Sequence, residues 1–291
     1  MHRILITDDI GPAGLALLDA ANDVQYDVVK LPSREKLIEI IGAYEAAITR
    51  SGTPLTAETF AAAKKLKVAG RAGVGMDNVD IDAATLRGVL VMNTPEANTL
   101  AAVELTMTLL LAVCRHLTLA NASVKRGEWT RAKFLGTQLN EKTLGIIGLG
   151  RIGSRVATRC QAFGMKVIAY DPYIAEEVAE RIHVELVGDL EELLTQSDII
   201  TVHTPLTEET RHMISSEEFS LMKNGVRILN CARGGIVDET ALISAIKEKK
   251  VVGAAIDVFE KEPPDPANEL LTLESVIVTP HLGASTEEAQ V

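Results

Sequence analysis

Eleven short, β-branched runs alternate with stretches of helical spacing along this chain, and that rhythm leaves few folds open. The runs lie at 3–7, 25–29, 46–49, 67–70, 89–93, 143–147, 166–170, 199–203, 227–230, 252–256 and 276–279. Strands separated by helices pair in parallel, with right-handed crossovers that cover the sheet faces. The reading is an α/β fold with parallel sheets, in two Rossmann-like domains. Helix starts are written into the intervals. Asp189 precedes a Leu190, Leu193, Leu194 stripe with Glu192 at the capping-box position, and Ser215 with Glu218 repeats the device. Two domains are expected because 291 residues exceed what one core fills, about 250.

Charge narrows the partners. A formal net charge of -11 repels phosphate backbones and anionic lipid, so neither nucleic acid nor a membrane is expected. The most apolar stretch, 105–114, is far shorter than the roughly 18 residues a membrane span needs. Acidic residues at Asp8 and Asp9 interrupt any signal-peptide plan, and a cytoplasmic protein is expected. Cys114, Cys160 and Cys231 are odd in number and scattered, which fits neither a disulfide framework nor a Cys-x-x-Cys pair. His2, His116, His183 and His212 lack ligand spacing, so no metal site is expected.

Two segments bear on organisation. Residues 97–126 read as one long apolar helix, buried between two bodies as a spine or simply part of one core. Ser285, Thr286, Glu287 and Glu288 form a capping box that opens a helix close to Val291, as if the sequence were cut inside an element.

The most specific motif follows the strand at 143–147: Gly148-Leu-Gly150-Arg151-Ile152-Gly153. Its first glycine permits a tight turn, its second a close approach of backbone to a pyrophosphate, and its third close packing of helix on strand. The helix N-terminus adds free N–H groups and a partial positive charge. Asp171 ends the next strand about 20 residues on, where a carboxylate accepts from ribose hydroxyls and repels a 2′-phosphate, favouring NAD over NADP. His203 ends a strand and is placed to line the same cleft. A second glycine cluster, 70–75, has no matching acid. It reads as a tight loop or, with Arg71 nearby at a strand's carboxyl end, as backbone N–H groups that hold a carboxylate.

Three polar residues each follow a late strand: Arg233, Glu262 and His281. Parallel strands deliver such residues to one edge, so a cation, an acid and an imidazole meet there without being near in sequence. Oxidation of a 2-hydroxy acid by NAD requires those functions. His281 takes the hydroxyl proton, Glu262 fixes the imidazole tautomer, and Arg233 forks onto the substrate carboxylate.

The motifs together resemble the D-isomer-specific 2-hydroxyacid dehydrogenases over essentially the whole chain. They run from Thr49-Arg-Ser-Gly-Thr and Gly70-Arg-Ala-Gly-Val-Gly-Met-Asp-Asn-Val-Asp through Asn93-Thr-Pro-Glu-Ala-Asn, Gly148-Leu-Gly-Arg-Ile-Gly and His203-Thr-Pro-Leu-Thr. They continue in Asn230-Cys-Ala-Arg-Gly-Gly, Asp257-Val-Phe-Glu-Lys-Glu-Pro-Pro and Thr279-Pro-His-Leu-Gly.

The resemblance implies a substrate domain at 1–95, completed by 281–291, and an NAD domain inserted at 96–280. It implies that Arg233, Glu262 and His281 are catalytic. It further implies that Val74, Arg151, Ile152, Asp171, Thr204, Pro205, Cys231, Ala232, Asp257, Gly283 and Ala284 contact NAD. Gly73 and Val74 would offer N–H groups to the substrate carboxylate, and Arg50 a substrate-side cation. Arg131 and Lys133, in the basic segment at 129–133, would reach a neighbouring subunit's cleft, so a homodimer and a phosphate contact are implied. The reaction implied is NAD-dependent oxidation of 3-phospho-D-glycerate, a step of serine biosynthesis. A glyoxylate or hydroxypyruvate reductase and a non-catalytic NAD(H)-sensing protein are the alternatives.

Overall fold

The computed structural model describes residues 1–290, which divide into two compact units, 1–99 with 284–290, and Leu100–Gly283. In the first unit the strands are β1 (His2–Ile6), β2 (Val24–Val28), β3 (Ala46–Thr49), β4 (Val68–Arg71) and β5 (Leu90–Asn93). The helices between them are α1 (Gly11–Asp19), α2 (Arg34–Ile41), α3 (Ala57–Ala62) and α4 (Ile81–Leu86). The sheet is wholly parallel in the order β2-β1-β3-β4-β5, which reverses direction between β1 and β3. Leu5, Leu37, Ile41, Leu55, Phe60 and Ala69 form its core. Ser33, Thr56 and Asp80 cap α2, α3 and α4 by accepting backbone N–H bonds.

The second unit begins with α5 (Thr99–Cys114) and α6 (Leu117–Lys125). The single helix expected over 97–126 is in fact this pair, bent by 66°. His116 takes a left-handed φ of 50°, and the carbonyl of Cys114 accepts from the Thr137 N–H at 2.9 Å, so the helical ladder ends there. The buried side of α5, with Val103, Met107, Leu110 and Val113, packs on the sheet of its own unit. No single helix among the described residues is long and apolar enough to cross a membrane.

That sheet is built from β6 (Thr143–Ile147), β7 (Lys166–Tyr170), β8 (Glu185–Leu186), β9 (Ile199–Val202), β10 (Val226–Asn230), β11 (Val251–Ile256) and β12 (Val276–Val278). The helices α7 (Arg151–Ala162), α8 (Glu176–Arg181), α9 (Leu190–Gln196), α10 (Ser216–Leu221) and α11 (Glu239–Lys247) connect them. The order is β12-β11-β10-β9-β6-β7-β8, all parallel, with the reversal between β6 and β9. Successive residues serve opposite faces. Ile146 and Ile199 lie in one buried cluster, Ile147 and Ile200 in the other. A sheet buried on both sides needs continuous apolar strands, which is why the sequence shows runs here and not alternation.

The caps read from sequence form: Asp189 accepts from the Glu192 N–H at 2.8 Å, and Glu218 accepts from the Ser215 N–H at 2.9 Å. At the chain's end the cap falls one residue later than expected. Thr286, not Ser285, accepts the Ala289 N–H at 3.2 Å, and Glu288–Gln290 form one 3-10 turn.

Candidate active site

The turn after β6 is shaped by its glycines. Gly148 has a φ of 92°, and a Cβ there would lie 2.9 Å from the His203 backbone. Gly153 packs so closely on this turn that a Cβ would stand 2.1 Å from the Gly148 carbonyl. Gly150, by contrast, faces open space and caps α7 without a side chain. The first N–H groups of a twelve-residue helix are therefore offered outward, beside exposed Arg151 and half-buried Ile152. Asp171 is bound into the same turn, accepting from Leu149 N–H at 2.8 Å and Tyr173 N–H at 3.0 Å.

After β9, the Thr204 hydroxyl is buried with no hydrogen-bond partner among the described residues, and Pro205 beside it is exposed. Uncapped donors, a carboxylate with lone pairs to spare and an orphaned hydroxyl fit a dinucleotide's pyrophosphate and diol. His203 faces Thr201 Oγ1 at 3.1 Å, and burial drops its pKa to about 4, so it stays neutral.

The loops after β10, β11 and β12 open on the same sheet edge. Buried Asn230 closes β10 and fixes the loop that follows. Its Nδ2 donates to the Arg233 carbonyl at 2.8 Å, and its Oδ1 accepts from Ala232 N–H at 3.1 Å. Arg233 Nη1 donates to the Ala232 carbonyl at 2.7 Å. After β11, Glu262 accepts the Phe259 N–H at 3.1 Å, and its other oxygen meets His281 Nδ1 at 2.7 Å.

His281 is set by Asp257, whose carbonyl accepts the His281 N–H at 2.8 Å. The buried Asp257 carboxylate also accepts from the Thr279 hydroxyl at 2.6 Å, Leu282 N–H at 2.7 Å and Gly283 N–H at 3.1 Å. It thereby clamps the 279–283 loop. Burial still raises the Asp257 pKa above the ordinary carboxylate value, despite these donors. The thiol of Cys231, beside that carboxylate, is pushed up to about 12, first by burial and then by the charge of Asp257.

Electrostatics couple the pair. The hydrogen bond to Glu262 raises the His281 pKa above 6.5, with burial and the positive charge of Arg233 acting against it. Burial pushes Glu262 upward, but the His281 hydrogen bond and charge outweigh it and hold the carboxyl below its usual value. Arg233 contributes to both shifts, so the three charges sense one another. A base must be neutral to take a proton. An oxidation that hands its proton to His281 would therefore be expected to rise with pH through a pKa above 6.5, and the reverse reduction to fall through the same value. Glu262→Gln removes the dominant raising influence and leaves burial, so both limbs should move to lower pH. Profiles of kcat/KM against pH for Glu262→Gln and the unaltered protein check this, and an unmoved limb contradicts the coupling.

Other candidate residues belong to other segments. Arg50 follows β3 in the first unit, where its Nη1 donates to the Asp9 carbonyl at 3.2 Å and to Gln290 Oε1 at 2.6 Å. Gly73, after β4, has a φ of 151°, and Asn93 Nδ2 donates to the Val74 carbonyl at 2.7 Å. Arg131 and Lys133 lie exposed on the 3-10 turn Arg131–Phe134 of the second unit, near an exposed Trp129. Gly283 ends that unit and Ala284 begins the return to the first. Among the described residues no group of His, Cys, Asp and Glu is arranged to hold a metal ion.

Sequence reading missed Asn230, Asn78 and Asn93, the amides that hold the Arg233, Arg50 and Val74 carbonyls. An Asn that ends a strand just before a candidate cation, as Asn230 does, was the available signal.

The profile described as the D-isomer specific 2-hydroxyacid dehydrogenase NAD binding domain matches residues 107–283. The chain belongs to that family. Its NAD-binding domain carries the glycine turn, Asp171 and the Arg233, Glu262 and His281 loops together. A D-3-phosphoglycerate dehydrogenase from Methanocaldococcus jannaschii is 52% identical over 290 residues, all of this chain and 55% of that relative. The chain thus spans about half the length of the curated relatives it matches. Among solved structures of the family's fold, a glyoxylate reductase from Paecilomyes thermophila superposes with a TM-score of 0.92 at 33% identity, covering 99% of this chain and 90% of its own. A D-lactate dehydrogenase from Aquifex aeolicus, complexed with NAD and lactic acid, gives 0.87 at 32%, covering 98% and 90%.

Proposed function

We propose that this chain is the catalytic portion of a dehydrogenase that oxidises 3-phospho-D-glycerate to 3-phosphohydroxypyruvate. The observation that carries the reading is the 2.7 Å His281–Glu262 pair within the electrostatic reach of Arg233, on the sheet edge that bears the glycine turn. The 52% identity to a protein of that name supports the choice of substrate.

In this reading NAD, when bound, supplies the acceptor for the hydride leaving C2. The bare N-terminus of α7, with Gly148, Gly150, Arg151, Ile152 and Gly153, holds the pyrophosphate, and Asp171 accepts from the ribose. Thr204 and Pro205, with Cys231, Ala232 and Asp257, line the remaining cofactor surface, and His203, Val74, Gly283 and Ala284 complete it. His281 uses Nδ1 on Glu262, which leaves Nε2 to take the C2 hydroxyl proton. The imidazolium so formed is stabilised by Glu262, and this is the ion pair that raises the His281 pKa. Arg233 grips the substrate carboxylate in a forked geometry that lysine cannot reproduce. Gly73 and Val74 add N–H donors, Arg50 adds charge, and Arg131 and Lys133 reach the phosphate from a second copy in a homodimer.

Phosphate recognition separates this reading from that of a glyoxylate or hydroxypyruvate reductase, which the 0.92 TM-score to a glyoxylate reductase keeps in view. NADH formation with 3-phospho-D-glycerate should exceed that with D-glycerate by roughly 10–100-fold in kcat/KM, the worth of a charge-assisted contact or two. Arg131→Ala with Lys133→Ala should erase the preference. Equal rates on the two acids in the unaltered enzyme sink the phosphate assignment.

A further inference from the structure

The amino-terminal edge of the seven-stranded sheet, opposite the catalytic loops, holds a cavity of about 180 Å³. It is walled where β6, β9 and β10 begin, by Thr137, Lys142, Asp198, Lys223 and Arg227. One wall residue is acidic, and its charge is already engaged. Asp198 accepts from Thr143 N–H at 2.8 Å and from Lys223 Nζ at 3.0 Å. Burial raises its pKa, but these partners outweigh that and keep it ionised. Against this single negative charge stand Lys142, Lys223 and Arg227, a local excess of two positive charges in a chain of net charge -11.

Arg227 is the most telling. Its Nη2 donates to Thr137 Oγ1 at 2.9 Å, while its Nε is buried and has no hydrogen-bond partner among the described residues. The guanidinium carries its full charge at the cavity wall, and its planar terminal donors suit an oxyanion. A five-residue strand separates this edge from the Gly148 turn, on the order of 15 Å, so neither the dinucleotide nor the reacting acid is served here.

We propose that this cavity is a second anion site, taking a phosphate group between Arg227, Lys142 and Lys223. The group is either the inorganic ion or the end of a small phosphomonoester. Its occupancy cross-links the starts of β6 and β10 and stabilises the NAD-binding unit by linkage.

Thermal unfolding and calorimetric titration of the NADH-saturated chain, at constant ionic strength, test this with inorganic phosphate and with glycerol phosphate as probes. Phosphate should raise Tm above the value in matched chloride. Binding should weaken roughly 10–100-fold in Arg227→Met and in Lys223→Met, which each lose one charged contact. Asp198→Asn keeps an acceptor for Thr143 and removes the one negative charge, so it should tighten binding. Turnover of Lys223→Met should match the parent's. Equal binding of glycerol phosphate identifies a terminal phosphate as the ligand, and inorganic phosphate alone identifies the free ion. The proposal is overturned if phosphate does not stabilise the parent, or if Lys223→Met and Asp198→Asn leave binding unchanged. It is also overturned if the response disappears in Arg131→Ala with Lys133→Ala, which would assign the phosphate to the proposed substrate grip.

Discussion

His281→Ala should lower turnover by roughly 10²–10⁴-fold and leave NADH affinity nearly as it was. The magnitude is that of a positioned general base, and the selectivity comes from where the imidazole's bonds go. Nδ1 is committed to Glu262 at 2.7 Å and the backbone N–H to Asp257 at 2.8 Å, while none of the dinucleotide-shaped features belongs to this side chain. The other histidine at this sheet edge, His203, cannot substitute. His203 is held neutral with a pKa of about 4 and is engaged with Thr201. Steady-state rates beside a fluorescence titration with NADH give both quantities. A fall in affinity parallel to the fall in rate would mean that His281 shapes the cofactor site and does not carry the proton.

The second large effect is expected at Gly234→Ala. A Cβ there would stand 1.8 Å from the Phe259 carbonyl oxygen, 2.1 Å from its carbon and 2.7 Å from the Glu260 nitrogen. All three are main-chain atoms, so no flexible side chain can yield. The two loops forced apart are those that carry Arg233 and Glu262. Stability should fall by about 1–3 kcal/mol or more, in the range of overpacked interiors. Beyond that, kcat/KM should drop because the guanidinium and the carboxylate no longer face the same substrate. Gly88→Ala makes the contrast. That glycine has a positive φ, 67°, which Gly234 lacks, but nothing lies within 4 Å of its missing Cβ, so only backbone strain of about 1–2 kcal/mol is incurred. Melting curves and kcat/KM for both variants check the difference. A loss at Gly234 no larger than that at Gly88 would show that the Phe259 loop yields to the added methyl.

Much of the architecture was legible because parallel sheets buried on both faces write themselves as unbroken apolar runs. Each of the eleven runs corresponds to a strand in the structure, and β6 and β7 begin and end where expected. The strand that escaped, Glu185–Leu186, has two residues and pairs on one side, too short for any pattern. The long helix misread over 97–126 fails for a different reason. Its break depends on a left-handed His116 and on Thr137, more than twenty residues downstream, and composition carries no trace of that contact.

The candidate site shows the same division. Arg233, Glu262 and His281 were visible as polar residues following strands. The clamp by which Asp257 gathers Thr279, Leu282 and Gly283 is a long-range arrangement that strand ends alone do not announce. Likewise the Arg227 cavity arises where three strands begin, from residues spread between Thr137 and Arg227. No sequence window contains it.

The unit that spans Leu100–Gly283 is one uninterrupted stretch, whereas its companion is assembled from both chain ends. The glycine turn and the three side chains proposed to react, Arg233, Glu262 and His281, therefore travel as a single cassette. Arg50, Gly73 and Val74 belong to the other unit. In the proposed reading, a change confined to the companion unit would leave that cassette's sequence whole.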